Sequence, residues 1–353
     1  MIYSILLAIL LVALVLLLAW QLLRWLPAGA DGLKPLPYVI ALLPIAPFCA
    51  ALGLIASAVA AVATRSQNEF YKSYVFLCIA YFVLFVISLK SYSPYFAKRL
   101  MRIKQEKSQT RSQEKSLEIR VMTLNCRYGH ANASQIIKIA KTHKIDTILL
   151  QEVSKKLVKN LEKLGIKRDF AHVQLGNTNN HENGGFNAIY TRLSNVKSFG
   201  KSIKIDAANV PIVTAVSGDS RAENLLITFA SAHPKSPMRG CAAWCSGIMA
   251  LAKIGENHNK SGYKKVTIIG GDLNSTPDHP SFRTLLKSGF LDASMQIGKR
   301  LKTWPTWQKW PNLALDHVLV KSTGCSAKAT EQSTIRVDGS DHFALIVCVS
   351  IPL

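Results

Sequence analysis

Charge is nearly missing from the first quarter of this 353-residue chain. Residues 1–90 carry only Arg24, Lys34, Arg65, Lys72 and Lys90 against Asp31 and Glu69. No Lys or Arg precedes the first apolar run, Ile2 to Trp20, and that run exceeds the apolar region of a secretory signal. Ala28-Gly29-Ala30 resembles a cleavage site, but the missing basic start and the length of the run argue for an uncleaved anchor. Acidic residues are scarce throughout: 21 Asp and Glu face 43 Lys and Arg, for a net charge of +22. Cysteines form no framework. Cys49 and Cys78 lie in apolar runs, and Cys126, Cys241, Cys245, Cys325 and Cys348 are an odd set without zinc-type spacing. This excludes a disulfide-stapled scaffold and a zinc ribbon, and leans toward a reducing compartment. No internal repeat is present.

What is there falls into three parts. Residues 1–96 read as a transmembrane region with spans at about 2–24, 36–63 and 71–90, since a spanning helix needs roughly 20 apolar residues. The third is the shortest apolar run, and Phe70, Tyr71 and the aromatics of Tyr92 to Phe96 suit an interface belt around it. Residues 97–117 are a polar linker, and the juxtamembrane stretch carries Lys98, Arg99, Arg102, Lys104, Lys107, Arg111, Lys115 and Arg120. Beside a span, such a collar suits anionic lipid headgroups, at about 1 kcal/mol per basic residue near the surface. Charge alone does not separate that partner from a nucleic-acid backbone. Three spans put residues 118–353 on the side opposite the N-terminus, and the basic residues after the third span place that side in the cytoplasm by the positive-inside rule.

The soluble part alternates strand and helix patterns. Strands are expected at 117–124, 145–150, 186–191, 212–217, 225–232, 266–269, 314–320 and 343–349. Helices are expected at 133–143 (with Asn132 as cap), 153–164, 237–258 and 281–287. Many strands with a few long helices suggest two packed sheets flanked by helices.

Polar residues mark the ends of these runs. Val121-Met122-Thr123-Leu124 ends at Asn125, and Ile148-Leu149-Leu150 at Gln151-Glu152. Leu226 to Phe229 leads to His233, and Val266 to Ile269 leads through Gly270-Gly271 to Asp272 and Asn274. Asp316-His317 and Ser340-Asp341-His342 flank two more runs. Alternation along a strand points Asp272 and Asn274 the same way. Any one of these residues alone is ordinary surface or turn chemistry; six such positions in one domain form a rim held by rigid sheets. Carboxylate and amide oxygens without cysteine favour Mg²⁺ or Mn²⁺ over zinc. With imidazoles nearby they suit phosphate-ester hydrolysis.

Asn125, Gln151-Glu152, His233, Gly271-Asp272-Leu273-Asn274, Asp316 and Ser340-Asp341-His342 resemble, in order and spacing, the endonuclease/exonuclease/phosphatase superfamily of deoxyribonuclease I. The resemblance covers about residues 118–351. It implies an α/β (α+β) fold, a four-layer αββα sandwich, and a divalent-metal-dependent phosphoesterase. It implies that Glu152, with Asn125 beside it, and Asp341 hold the metal. Asp272 and Asn274 would orient water and phosphate. His342 would be the general base, oriented by Asp316, and His233 would contact the phosphate. Asn187 resembles a family position, with Phe186 where glycine is more usual, and Glu182 is the candidate partner of the phosphate-side histidine. Thr303-Trp304-Pro305-Thr306-Trp307 with the spans resembles a membrane-bound bacterial branch that includes VanJ-type proteins. That likeness implies a polyprenyl pyrophosphate substrate and an outward-facing site, against the charge rule. Trp304, Trp307 and Trp310 read either as core packing or as an aromatic lip meeting lipid. The expected activity is hydrolysis of a lipid-linked phosphate ester or pyrophosphate, with a membrane-anchored Mg²⁺-dependent nuclease as the alternative.

Overall fold

The computed structural model describes residues 1–96, 99, 116–177, 185–198, 203, 205–217, 224–255, 262–310 and 312–353. Nearly all of the basic linker, and Glu182, lie outside the described residues. Twelve strands are present among the described residues: β1 (Ser116–Asn125), β2 (Thr147–Val153), β3 (His172–Leu175), β4 (Phe186–Thr191), β5 (Val196–Ser198), β6 (Ile212–Val216), β7 (Leu225–Ser231), β8 (Lys264–Asp272), β9 (Leu291–Asp292), β10 (Asp316–Thr323), β11 (Lys328–Arg336) and β12 (Phe343–Pro352). They form two six-stranded mixed sheets, ordered β11-β12-β1-β2-β4-β3 and β5-β6-β7-β8-β10-β9.

The central strands are apolar on both faces because each sheet is covered twice. Between the sheets lie Val121, Leu149, Ile227, Ile268, Leu345 and Val347. The outer face of the first sheet takes Ile136, Leu157 and Leu161 from helices Ala133–Thr142 and Lys155–Lys163. The second takes Trp244, Ile248 and Phe282 from helices Cys241–Ala250 and Pro280–Lys287. Helix, sheet, sheet, helix is the expected αββα sandwich. The Asn132 side chain accepts from Ser134 N at 3.0 Å and Gln135 N at 3.2 Å, capping the first helix as expected.

Several element boundaries differ from expectation. The helix expected from Val153 begins at Lys155, because Ser154 caps it through Leu157 N at 3.2 Å and Val153 stays in β2. The long helix expected over 237–258 is broken. A 3₁₀ turn, Pro237–Arg239, ends in an extended Gly240, and the α-helix runs only from Cys241 to Ala250. β11 has a polar sequence and flanks β12 at a sheet edge, where few apolar residues are needed.

Helices Ile2–Leu22, Ala46–Ala63 and Asn68–Ser88 pack together through Leu10, Leu17, Ala50, Tyr74, Leu77 and Tyr81. The Tyr81 ring lies where a Cβ on Gly53 would be 2.2 Å from it, a close approach that only glycine permits. The stretches Ile2–Trp25, Leu36–Ala63 and Asn68–Ser91 are long and apolar enough to cross a membrane. The second is not one helix. Leu36–Ala41 is followed by a 3₁₀ turn, Leu43–Ile45, containing Pro44, and the straight part is Ala46–Ala63. Its 18 residues rise about 27 Å, close to a hydrocarbon core of about 30 Å.

The turn between the first two apolar stretches and the start of the second dock on the sandwich. Buried Asp31 accepts from Ser281 N at 2.9 Å, Ser281 Oγ at 2.5 Å and Gly29 N at 3.2 Å. His279 Nε2 meets Pro37 O at 2.9 Å, and Tyr38 OH donates to Pro237 O at 2.8 Å. Arg24 faces Asp278 at 3.7 Å, with Ser91 hydrogen-bonded to both at 3.0 Å.

Candidate active site

The strand ends meet at one rim. β1 pairs in parallel with β2, so Asn125 lies opposite Gln151. A register shift in the β2–β4 ladder between Leu150 and Val153 then turns consecutive residues in opposite senses. Gln151 is buried under the site: its amide donates to Ser231 Oγ at 2.9 Å and accepts from Thr123 Oγ1 at 3.2 Å, tying the two sheets together. Glu152 has φ of 51° and turns into the cavity. Gly271 explains the double glycine before Asp272: a Cβ there would lie 1.8 Å from Ala232 O.

Asp272 is the hub. Its Oδ2 accepts from Asn125 Nδ2 at 3.0 Å and lies 3.5 Å from His233 Nε2 and 3.6 Å from His342 Nε2. Asn125 Nδ2 also reaches Glu152 Oε1 at 3.2 Å, while its Oδ1 accepts from Arg127 N at 2.9 Å. Glu152 Oε2 accepts from Tyr128 N at 2.9 Å, and Oε1 lies 3.8 Å from His233 Nε2. His342 Nδ1 is 2.8 Å from Asp316 Oδ2. Ser340 Oγ sets the histidine by donating to Asn125 O at 2.6 Å and accepting from His342 N at 3.0 Å. Asp316 itself sits in antiparallel register directly opposite Asp272.

Two facing carboxyl groups repel unless a cation offsets their charge, and the His342 ring lies against both. Burial alone would depress its pKa, but Asp316 and Asp272 push it up to about 10. Burial would raise the Asp272 carboxyl, yet His342 and His233 hold it well below the usual carboxylate range. Burial raises Asp316, against the pull of His342. His233, which burial would lower, is raised by Asp272 and Glu152.

Asn125, Glu152, His233, Asp272, Asn274, Asp341 and His342 all line one cavity of about 600 Å³. Asp316 stands behind His342. Asn274 reaches the cavity by a different route from the expected strand alternation. β8 ends at Asp272, whose Oδ1 accepts from Asn274 N at 2.9 Å, and Asn274 turns back with φ of 49°. Asn187 stays outside the cavity and donates to Asn209 O at 3.1 Å. His317 faces away from it, between Asp292 Oδ2 at 2.5 Å and Ser275 O at 3.0 Å. Trp304 lines the cavity, its ring 6.4 Å from that of His342, while Trp307 and Trp310 are 63% and 59% exposed. The sequence reading missed Arg127, Tyr128 and Arg239 at the mouth, and Pro37, Tyr38, Ala41 and Leu42 along one wall. Only Gly129, closing a run of positive φ at 44°, 55° and 77°, hinted at the first of these.

Four carboxyl groups (Glu152, Asp272, Asp316 and Asp341) converge with two imidazoles, a donor set that fits a hard divalent cation. One ligand atom each from Asp272, Asp316 and His342 lie within 4.8 Å of one another.

Among solved structures, TDP2 from D. rerio complexed with single-strand DNA product is similar at a TM-score of 0.52 and 18% identity, covering 66% of this chain and 98% of that one. A mannosyl-6-phosphatase from Bacteroides thetaiotaomicron is similar at a TM-score of 0.46 and 16% identity, covering 65% and 99%. No curated protein matches the chain. The model of the Endonuclease/Exonuclease/phosphatase family matches residues 122–342, from β1 to the histidine paired with Asp316. By that match, most of the sandwich and its whole rim included, the chain belongs to the endonuclease/exonuclease/phosphatase family.

Proposed function

We propose that the chain is a membrane-anchored, divalent-metal-dependent phosphoesterase that hydrolyses a phosphate ester or pyrophosphate carried by a lipid. The observation that carries this reading is the shared cavity: Glu152, His233, Asp272 and His342 line it together with Pro37, Tyr38, Ala41 and Leu42 from the start of the second apolar stretch.

Glu152, with Asn125 and Asp341, would hold Mg²⁺ or Mn²⁺, and oxygen donors without cysteine support that choice. A bound divalent ion supplies charge screening for the phosphate. Asp316 fixes the His342 ring through Nδ1, leaving Nε2 toward the cavity. His342 takes the proton of the attacking water as the new P–O bond forms. Asp272 and Asn274 orient water and a phosphoryl oxygen. His233, raised by its carboxylate neighbours, carries the proton for the departing oxygen as the old P–O bond breaks.

The domain assignment is a membrane region over 1–96, a basic linker over 97–117 and the catalytic domain over 118–353. The linker would lie on anionic headgroups. By charge the catalytic domain faces the cytoplasm; a VanJ-type substrate of the cell envelope would require the outward face. The second reading, a membrane-anchored nuclease, draws on the net charge of +22 and on the DNA product bound to the D. rerio TDP2.

A substrate panel with the purified full-length protein separates the two. Polyprenyl pyrophosphate in bilayers, a sphingomyelin-type lipid and plasmid DNA are compared with Mg²⁺, with chelator and with His342→Ala. The expected result is phosphate release from a bilayer substrate that chelation abolishes and that falls about 10²–10⁴-fold in the variant. Salt-sensitive plasmid nicking without lipid turnover would instead establish the nuclease.

A further inference from the structure

We infer that the start of the second apolar stretch forms a hydrocarbon-binding wall of the active-site cavity, so that Tyr38, Ala41 and Leu42 select phosphoesters bearing an apolar chain next to the phosphate. This rests on the phosphoesterase reading and adds the part of the chain that recognises the substrate.

The cavity has two unlike sides. One is the carboxylate and imidazole rim; the other is apolar, with Leu42 39% exposed and therefore available for contact. The apolar side is fixed in place. Asp31 is fully buried on Ser281, His279 holds the Pro37 carbonyl, and Tyr38 holds the Pro237 carbonyl. A segment held by buried polar bonds to the catalytic domain is a wall of the site rather than a passing neighbour.

The wall also leads toward the membrane. Past Leu42 the chain passes through Leu43–Ile45 directly into the apolar helix Ala46–Ala63. On that helix Phe48, 52% exposed, packs edge-on against Trp310 at 5.8 Å between centroids. A hydrocarbon chain leaving the phosphate along Tyr38, Ala41 and Leu42 would therefore stay on apolar surface until it reaches the membrane-spanning helices. A nucleotide or a free sugar phosphate would set polar surface against these side chains. Each methylene buried there tightens binding about fourfold.

The test is equilibrium binding of methyl phosphate and dodecyl phosphate to the full-length protein in nanodiscs with Mg²⁺, measured by calorimetry with empty nanodiscs subtracted. The wall predicts that dodecyl phosphate binds at least about tenfold tighter than methyl phosphate. That ratio should collapse toward one in Leu42→Glu and in Ala41→Gln. Leu42→Phe, which keeps the surface apolar, should retain it, so a ratio lost only in the polar variants is not a folding defect. Equal affinities in the unmodified protein, or a ratio untouched by Leu42→Glu, would overturn the inference. Phosphate release assayed on the same samples keeps the two readings apart: an intact ratio without any hydrolysis would remove the phosphoesterase and leave the wall.

Discussion

Asp272, Asp316 and His342 could be picked out as single letters at strand ends, but their energetics come from the β8–β10 register. Only the fold places the two carboxyl groups opposite each other and the imidazole against both. Asn274 was legible as a partner of Asp272 for the wrong reason, since a turn and not strand alternation brings it round. His317 shows a residue whose neighbours in sequence mislead. It follows Asp316 but faces two acceptors, Asp292 and the Ser275 carbonyl, so its ring must carry both protons. Burial would lower its pKa, and Asp292 raises it instead. A raised folded-state value stabilises fully below the unfolded pKa, near 6.5 for histidine. That stabilisation is lost as pH climbs through the folded value. His317→Gln should therefore cost about 3 kcal/mol at pH 6, and the gap in thermal midpoint from the unmodified protein should shrink as pH rises above the unfolded value. A gap that widens with pH would refute the charged assignment.

At the scale of elements, long apolar strands and capped helices were readable because one pattern governs them. Breaks were not. The stretch 237–258 keeps helical composition, yet Pro237 and the extended Gly240 divide it. The run 36–63 is uniformly apolar, so its interruption at Leu42–Ile45 leaves no hydropathy signal. Strand β11 was invisible because an edge strand takes its order from β12 and not from its own side chains. The inter-span segment depends on Asp31, a lone acid in an apolar region whose partners lie about 250 residues away. Asp31→Ala leaves the Ser281 N–H without its acceptor, a loss of about 1–3 kcal/mol. Hydrogen exchange at the Ser281 amide should accelerate about tenfold or more while the β1 and β12 amides hold their protection. Unchanged exchange at Ser281 would show that Asp31 does not anchor the segment.

Across the whole molecule, three helices are long and apolar enough to cross a membrane, and the start of the second stretch is hydrogen-bonded to the αββα sandwich. The family and the αββα architecture were legible because its polar rim is spread over many strand ends. The proximity of the rim to the spans was not, because no short-range pattern records that Leu36–Ala41 turns back over the site. The proposed function requires that substrate arrive within the bilayer plane. This is tested most directly by phosphate release from polyprenyl pyrophosphate incorporated with the full-length protein in the same Mg²⁺-containing vesicles. The substrate is diluted with inert lipid while its bulk concentration stays constant. The account predicts that the rate falls in proportion to the mole fraction of substrate in the membrane. A rate that ignores mole fraction and follows bulk concentration alone would contradict it.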